Sequence, residues 1–316
     1  MRLGRAWRGS VVGLGMLAAA VSWSRASSQP APAATPPIPV APQPGAAPQD
    51  LKLIQDRTAR LRLSVMVNGK GPYDFLVDTG ADRTVISRQL AVELMLPQGN
   101  PVNMHVNAGM DFVQTAVIDH LVIGGRLVEG VQAPVVDQIN LGAAGMLGVD
   151  ALKNLHIVMD FKAMRLTSSP SREEPLAPGT VVVRGKSRFG QLILADASVR
   201  GVPVFVVVDT GAQISIGNPA LLRLLYGRRP PPAPTANVEL VGVTGRSSHA
   251  DLELVQDANV GGLEIHNMRL AFAQDHIFNQ LQLINEPALL LGMDVLGQCQ
   301  RISVDMRRRT ATFTLN

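Results

Sequence analysis

One unit is written twice in this chain, and an internal repeat of that size constrains the fold more than any single motif does. The first copy reads LSVMVNGKGPYDFLVDTGADRTVIS at residues 63–87, and the second reads LADASVRGVPVFVVVDTGAQISIG at residues 194–217. Pro72 and Pro203 stand at the same offset before Asp-Thr-Gly-Ala, and the two motifs begin 131 residues apart. A later pair repeats as well. Met146-Leu147-Gly148-Val149-Asp150-Ala151-Leu152 answers to Leu290-Leu291-Gly292-Met293-Asp294-Val295-Leu296. Each is followed by an alternating stretch that contains an Asp, at 156–166 and 301–315. The order of strand, Asp-Thr-Gly, long middle, apolar-apolar-Gly, short helix and final strand therefore occurs twice.

The text between these landmarks predicts an all-β chain with a few short helices. Aromatic residues make up only 4% of the sequence, and the apolar 46% is mostly Val, Leu, Ile and Ala, which suits strands. Stretches 103–106, 113–118 and 121–122, with a turn at Gly124-Gly125, read as hairpins in the first copy. Stretches 238–241, 252–255 and Val260, with a turn at Gly261-Gly262, read the same way in the second. Helices are expected at 88–94, 219–226 and after Gly148 and Gly292, where Asp150 and Asp294 read as N-caps. Cys299 is the single cysteine, so no intrachain disulfide can form, and it reads as a small buried residue. The expected organisation is a first lobe at 51–169, a linker at 170–179 and a second lobe at 180–316, with 228–234 an insertion loop of the second copy.

The start of the chain has another character. Arg2, Arg5 and Arg8 precede an uncharged run from Val11 to Trp23, and Ser24-Arg25-Ala26 follows. That is the layout of an export signal over residues 1–26, so the protein is expected in the periplasm or secreted. The run is short for a membrane span, which takes about 20 residues, so membrane attachment is expected only if the signal stays uncleaved. Residues 27–50 are dominated by Pro and Ala and read as an extended linker. The formal charge of +4 sits largely in the terminal arginines, with no basic stripe interleaved with aromatics, so nucleic acid is not an expected partner. The six histidines show no metal-ligand spacing, and neither a metal nor another cofactor is expected.

Asp-Thr-Gly alone is weak, since a given tripeptide arises by chance roughly once in 8,000 positions. Its setting sharpens it. Residues 75–77 and 206–208 are apolar and β-prone, so Asp78 and Asp209 each end a strand pressed against a core. The following Gly80 and Gly211 permit a tight turn and a close backbone approach. Two such loops brought together across a pseudo-two-fold axis would set carboxylates side by side. They could not both ionise cheaply, and the pair would share a proton. The ionised partner can then take a proton from water while the protonated one donates to a carbonyl oxygen.

These residues resemble the pepsin and retropepsin clan of aspartic peptidases, most closely the retroviral-type unit, here fused in tandem as in a bacterial exported member. The resemblance covers residues 55–168 and 180–316. It implies a two-lobed, pseudo-symmetric acid-protease fold and an endopeptidase acting on peptide or protein substrates. It implies that Asp78 and Asp209 are catalytic, that Thr79 and Thr210 grip each other across the loops, and that Gly80 and Gly211 are the loop glycines. Gly148 and Gly292 correspond to the element that packs behind each catalytic loop. Ala81 and Ala212 match the retroviral type, where pepsin-like enzymes carry a hydroxyl that favours the charged carboxylate, so a less acidic optimum than pepsin's is expected. Asp82 matches an acidic residue that contacts the substrate backbone. Gln213 stands in its place in the second copy, so the cleft is expected to be asymmetric. The retroviral Arg of the glycine element is replaced by Val149 and Met293, and the stretches 105–112 and 241–248 stand where flaps would. Two rival readings remain: a non-catalytic peptide-binding module with this fold, and pairing of each copy with a copy in another chain rather than within a monomer.

Overall fold

The computed structural model describes residues 49–315, apart from 53, 56–59, 107–108, 153–154, 172, 174–175, 177, 189–190, 228 and 230–233. The export-signal and linker readings for residues 1–48, and most of the 228–234 loop, lie outside the described residues.

The chain is all-β with short helices, and the two copies build sheets of one design. In the first, the strand Lys70–Val77 carries Asp78 at its end and pairs in parallel with Gly145–Leu147. Gly145–Leu147 pairs antiparallel with Val85–Ser87, which pairs in parallel with Arg126–Val136. In the second, Phe205–Val208 carries Asp209 and pairs in parallel with Ala288–Leu291. Ala288–Leu291 pairs antiparallel with Ser215–Gly217, which pairs in parallel with Leu263–Phe272. Parallel strands of this kind are covered on both faces and read as continuous apolar runs. Leu76, Val77, Val206, Val207 and Val208 are accordingly all buried.

The copies are joined below by one antiparallel sheet. Its strands run in the order Gln49–Lys52, Arg165–Pro170, Leu155–Asp160, Arg301–Asp305, Thr310–Thr314 and Thr180–Arg188. The central pairing, His156 with Asp305 through Asp160 with Arg301, crosses from one copy to the other. Alternate residues Ile157, Met159, Ile302, Val304, Ala311 and Phe313 point into the shared core, as the period-2 pattern of the sequence requires. The strand Gln49–Lys52 starts inside the stretch read as linker.

Each copy sends a long hairpin away from this base. They are Gln98–Val106 with Gly109–Ile123, and Ala236–Val241 with Ser247–Val260. The helices Arg88–Glu93 and Pro219–Tyr226 lie where they were expected and are capped by Ser87 and Asn218. Two further helices, Gln138–Leu141 and His276–Gln280, were not foreseen. The N-cap reading of Asp150 and Asp294 is corrected: both lie inside their helices, in the first turn. Asp150 Oδ1 accepts from the Thr84 N–H and hydroxyl at 2.9 and 2.7 Å. Asp294 Oδ1 accepts from the Ser215 hydroxyl at 2.8 Å. Each aspartate ties its helix to the loop in front of it. Cys299 is buried as expected, and burial pushes its thiol up to about 11, far from a reactive thiolate.

Candidate active site

Asp78 and Asp209 meet where the two copies face each other. Each loop is held from behind by its own copy. The Asp78 N–H donates to the Leu147 carbonyl and the Asp209 N–H to the Leu291 carbonyl, both at 3.0 Å. Gly148 donates to Thr84 Oγ1 at 3.2 Å and Gly292 to Ser215 Oγ at 3.0 Å. A Cβ at Gly148 would lie 2.4 Å from the Arg83 carbonyl carbon, and one at Gly292 would lie 2.8 Å from that of Ile214. The apolar-apolar-Gly element needs glycine because backbone packs on backbone there.

The loops then grip each other. The Thr79 N–H donates to Thr210 Oγ1 at 3.1 Å, and the Thr210 N–H donates to Thr79 Oγ1 at 3.2 Å. The Thr79 hydroxyl donates to the Val208 carbonyl at 2.7 Å, and the Thr210 hydroxyl to the Val77 carbonyl at 2.8 Å. Four bonds thus cross between the lobes, and both threonines are buried, Thr210 wholly so. A buried donor or acceptor without a partner costs about 1–3 kcal/mol, so this reciprocal pattern sets the register of one loop against the other. Gln191 adds a further tie by donating to the Gly80 carbonyl.

The carboxylates stand just above. Asp78 Oδ1 accepts from the N–H groups of Gly80 and Ala81 at 2.8 and 3.0 Å. Asp209 Oδ1 accepts from those of Gly211 and Ala212 at 2.9 and 3.0 Å. Each glycine abuts the opposite carboxylate. A Cβ on Gly80 would fall 2.5 Å from Asp209 Cγ, and one on Gly211 would strike the Asp78 carboxylate closer still. Burial raises the pKa of both aspartates, and the charge of Asp209 raises Asp78 further, against the lowering pull of the loop N–H groups. The pair keeps a proton above the usual carboxylate range, and that proton belongs to the pair.

Above the pair lies a cleft of about 930 Å³ lined by both copies. Asp82 and Gln213 line it as well, both exposed. Asp82 meets the second copy through the Gln280 side chain at 3.4 Å. Of the stretches read as flaps, 105–112 and 241–248, residues 105–106 and 241–243 line the cleft, together with 102–104 and 239–240 of the same hairpins. Arg246 Nε pairs with Asp111 Oδ1 at 2.5 Å, which joins one hairpin to the other. His105 and His276 stack across the copies, with their Nδ1 atoms 2.9 Å apart.

Asp275 went unread in the sequence. It follows the strand Leu263–Phe272, lines the cleft and is only 8% exposed. Its Oδ1 accepts from the Ile277 N–H at 3.0 Å and caps the helix His276–Gln280. Burial, together with the charge of Asp209, pushes this carboxyl up to about 6. A single Asp after an apolar strand carries no signal beyond that of a helix cap.

Comparison with known families agrees with this division. The family of gag-polyprotein aspartyl proteases matches residues 63–154. A second family, described simply as aspartyl protease, matches residues 195–295. Among curated proteins none matches the chain. With one aspartyl protease family on each copy of its repeat, the chain belongs to the retropepsin-like aspartic peptidases, as two units in tandem.

Proposed function

We propose that the protein is an endopeptidase that cleaves extended peptides with a water molecule activated between Asp78 and Asp209. The observation that carries the reading is the abutting pair of carboxyls, Asp78 buried and Asp209 part-buried, at the floor of a two-sided cleft. With one proton shared, the ionised carboxylate takes a proton from water as its oxygen attacks the scissile carbonyl carbon. The protonated carboxyl donates to the carbonyl oxygen. As the C–N bond of the tetrahedral diol breaks, the protonated carboxyl gives its proton to the leaving nitrogen and the ionised one takes a proton from a diol hydroxyl, so the pair ends with one proton, as it began. Thr79, Thr210, Gly80 and Gly211 hold the carboxyls in place. Asp82 and Gln213 are the proposed contacts to the substrate backbone. A cavity of about 930 Å³ has room for several residues of an extended chain, and the hairpins above it offer strand-like backbone partners.

The pair is intramolecular in this reading, so the active species is a monomer. Export follows from the pattern at residues 1–26, and amino-terminal sequencing of the mature protein checks it. Ala81 and Ala212 place no side-chain hydroxyl on the carboxylates, and the optimum is expected to be less acidic than pepsin's; maximal activity near pH 2 would overturn that point. The central test compares the wild-type protein with Asp78→Asn and Asp209→Asn on a diverse peptide mixture from pH 3 to 8, with cut bonds identified by mass spectrometry. Cleavage that vanishes in both variants supports the shared pair. Cleavage that survives either one rejects it, and a folded wild-type protein that cuts nothing favours a peptide-binding module.

A further inference from the structure

We propose that Asp275 makes the second-lobe side of the cleft selective for a basic residue, lysine or arginine, of the bound peptide. This rests on the cleft being a peptide site, whether or not the peptide is then cut.

Three observations carry it. First, Asp275 lines the cleft yet is only 8% exposed. One of its oxygens caps Ile277, and among the described residues no lysine, arginine or histidine pairs with it. A carboxylate so placed lacks the cation that normally accompanies burial. Second, its neighbours on that wall are apolar: Ile214, Ile216, Leu240, Ile277 and Leu290. A lysine or arginine side chain has the matching form, a hydrocarbon stem with a charged head. The stem would lie on the isoleucines and leucines while the head meets Asp275. Third, charge along the cleft is divided. Besides Asp78 and Asp209, the second-lobe lining carries the acids Glu239 and Asp275 and no lysine or arginine, whereas the first-lobe lining carries Arg60 and Arg83 beside the acid Asp82. A basic side chain is thereby directed to one half of the site.

The first lobe carries no such feature. The acid before its corresponding helix, Asp137, is about half exposed and pairs with Arg88 Nε at 2.8 Å. That carboxylate is already satisfied. From the same helix it is Asn140, an amide, that lines the cleft.

The test separates binding from cleavage. Asp78→Asn and Asp78→Asn/Asp275→Asn proteins are titrated at pH 7 with an oriented peptide library. One position at a time is fixed as lysine, arginine, norleucine or glutamine, and affinity is read by fluorescence anisotropy. Asparagine caps a helix as well as aspartate does, and thermal melts verify that both variants fold. The expected result is that one position favours lysine or arginine over norleucine and glutamine by about tenfold or more, the scale of a charge-assisted hydrogen bond, and that Asp275→Asn erases the preference. Three results overturn the proposal: no position favours a basic residue, the preference survives Asp275→Asn, or no library peptide binds. If the preference appears and depends on Asp275 while the wild-type protein cuts none of the bound peptides, the inference stands and the endopeptidase reading falls.

Discussion

The two lobes differ in their walls and agree in their floor. Around the aspartates the correspondence runs atom by atom: Thr79 with Thr210, Gly80 with Gly211, Thr84–Asp150 with Ser215–Asp294. Away from the floor it breaks. Asp82 corresponds to Gln213, and the exposed, paired Asp137 answers to the buried Asp275. The helix after the Asp strand has six residues in the first lobe and eight in the second. The difference has a physical reason. Sharing a proton requires two carboxyls in matched surroundings, so the floor tolerates little divergence. A peptide has a direction, and a fully symmetric cleft would accept it both ways round. A fused chain can give each wall its own chemistry without disturbing the floor.

The largest expected effect tests the symmetry of the floor. Gly80→Ala and Gly211→Ala each set a methyl against the opposite carboxylate. A displacement of about 1 Å at a reacting group costs roughly 100-fold. Both variants should lose cleavage by at least about that factor, measured as kcat/KM on a peptide that the wild type cuts. A large loss in one lobe and none in the other would show that only one loop approaches as closely as described.

The next effect separates the walls and appears as stability against pH. In the folded protein Asp275 keeps its proton up to about pH 6, whereas its ordinary value is 3.8. Between those values the native state binds more protons than the unfolded chain, so stability falls as pH rises through this window. The full difference is on the order of 3 kcal/mol. Asp275→Asn removes it and should be the more stable protein above pH 6, with the two curves meeting below about pH 4. Asp78 and Asp209 are also raised and act with the same sign; they remain in both proteins, so the effect of their own burial drops out of the comparison, while the repulsion between Asp209 and Asp275 is lost with Asp275→Asn. The exposed Asp137→Asn should instead lose at most about 1 kcal/mol, with its Arg88 contact. Urea melts from pH 3.5 to 7.5 decide. A gain from Asp275→Asn that does not grow with pH would mean that the acid is not held protonated.

The floor was legible in the sequence because it is written in local, repeated residues. Asp-Thr-Gly follows its apolar strand directly, and the order of landmarks occurs twice. The walls were not legible, because their meaning lies in distant partners. Asp150 and Asp294 look like helix caps until Thr84 and Ser215, 66 and 79 residues away, are brought against them. The helices Gln138–Leu141 and His276–Gln280 have four and five residues, too few to show a period. Asp275 and Asp137 look alike in one dimension. Only the fold buries one and leaves the other beside an arginine.

A smaller effect returns to the floor. Thr79→Val and Thr210→Val keep the shape and remove the hydroxyl. Each deletes one donor and one acceptor that cross between lobes. The expected loss is about 2 kcal/mol or somewhat more for each, equal within error, since each leaves a buried N–H and a buried carbonyl without a partner at about 1–3 kcal/mol apiece. Unequal losses in urea unfolding would show that one lobe holds the other more than it is held.

The smallest stability effect is expected at the top of the cleft, where the hairpins meet. Arg246 and Asp111 form the ion pair between them, and the Arg246 side chain is 54% exposed. The Asp111 side chain is 15% exposed, so the pair is part-exposed, and Arg246→Gln, which keeps a donor for Asp111, should cost about 1 kcal/mol or less. Its effect on substrate should be larger than its effect on stability, because the pair ties together the two hairpins whose residues line the cleft. Breaking it frees one hairpin from the other. Peptides should enter more readily and be held less tightly, so KM rises several-fold while the chemistry below is untouched. Val243 still packs against the first lobe's cluster around Leu76, Val85 and Met146, so the second hairpin keeps an apolar anchor and does not swing away. Salt gives an independent check: raising ionic strength screens the wild-type pair and should move its KM toward that of Arg246→Gln, while the variant responds less. If kcat falls and KM does not rise, the hairpins position the carboxyls rather than the peptide, and the separation of walls from floor fails at this point.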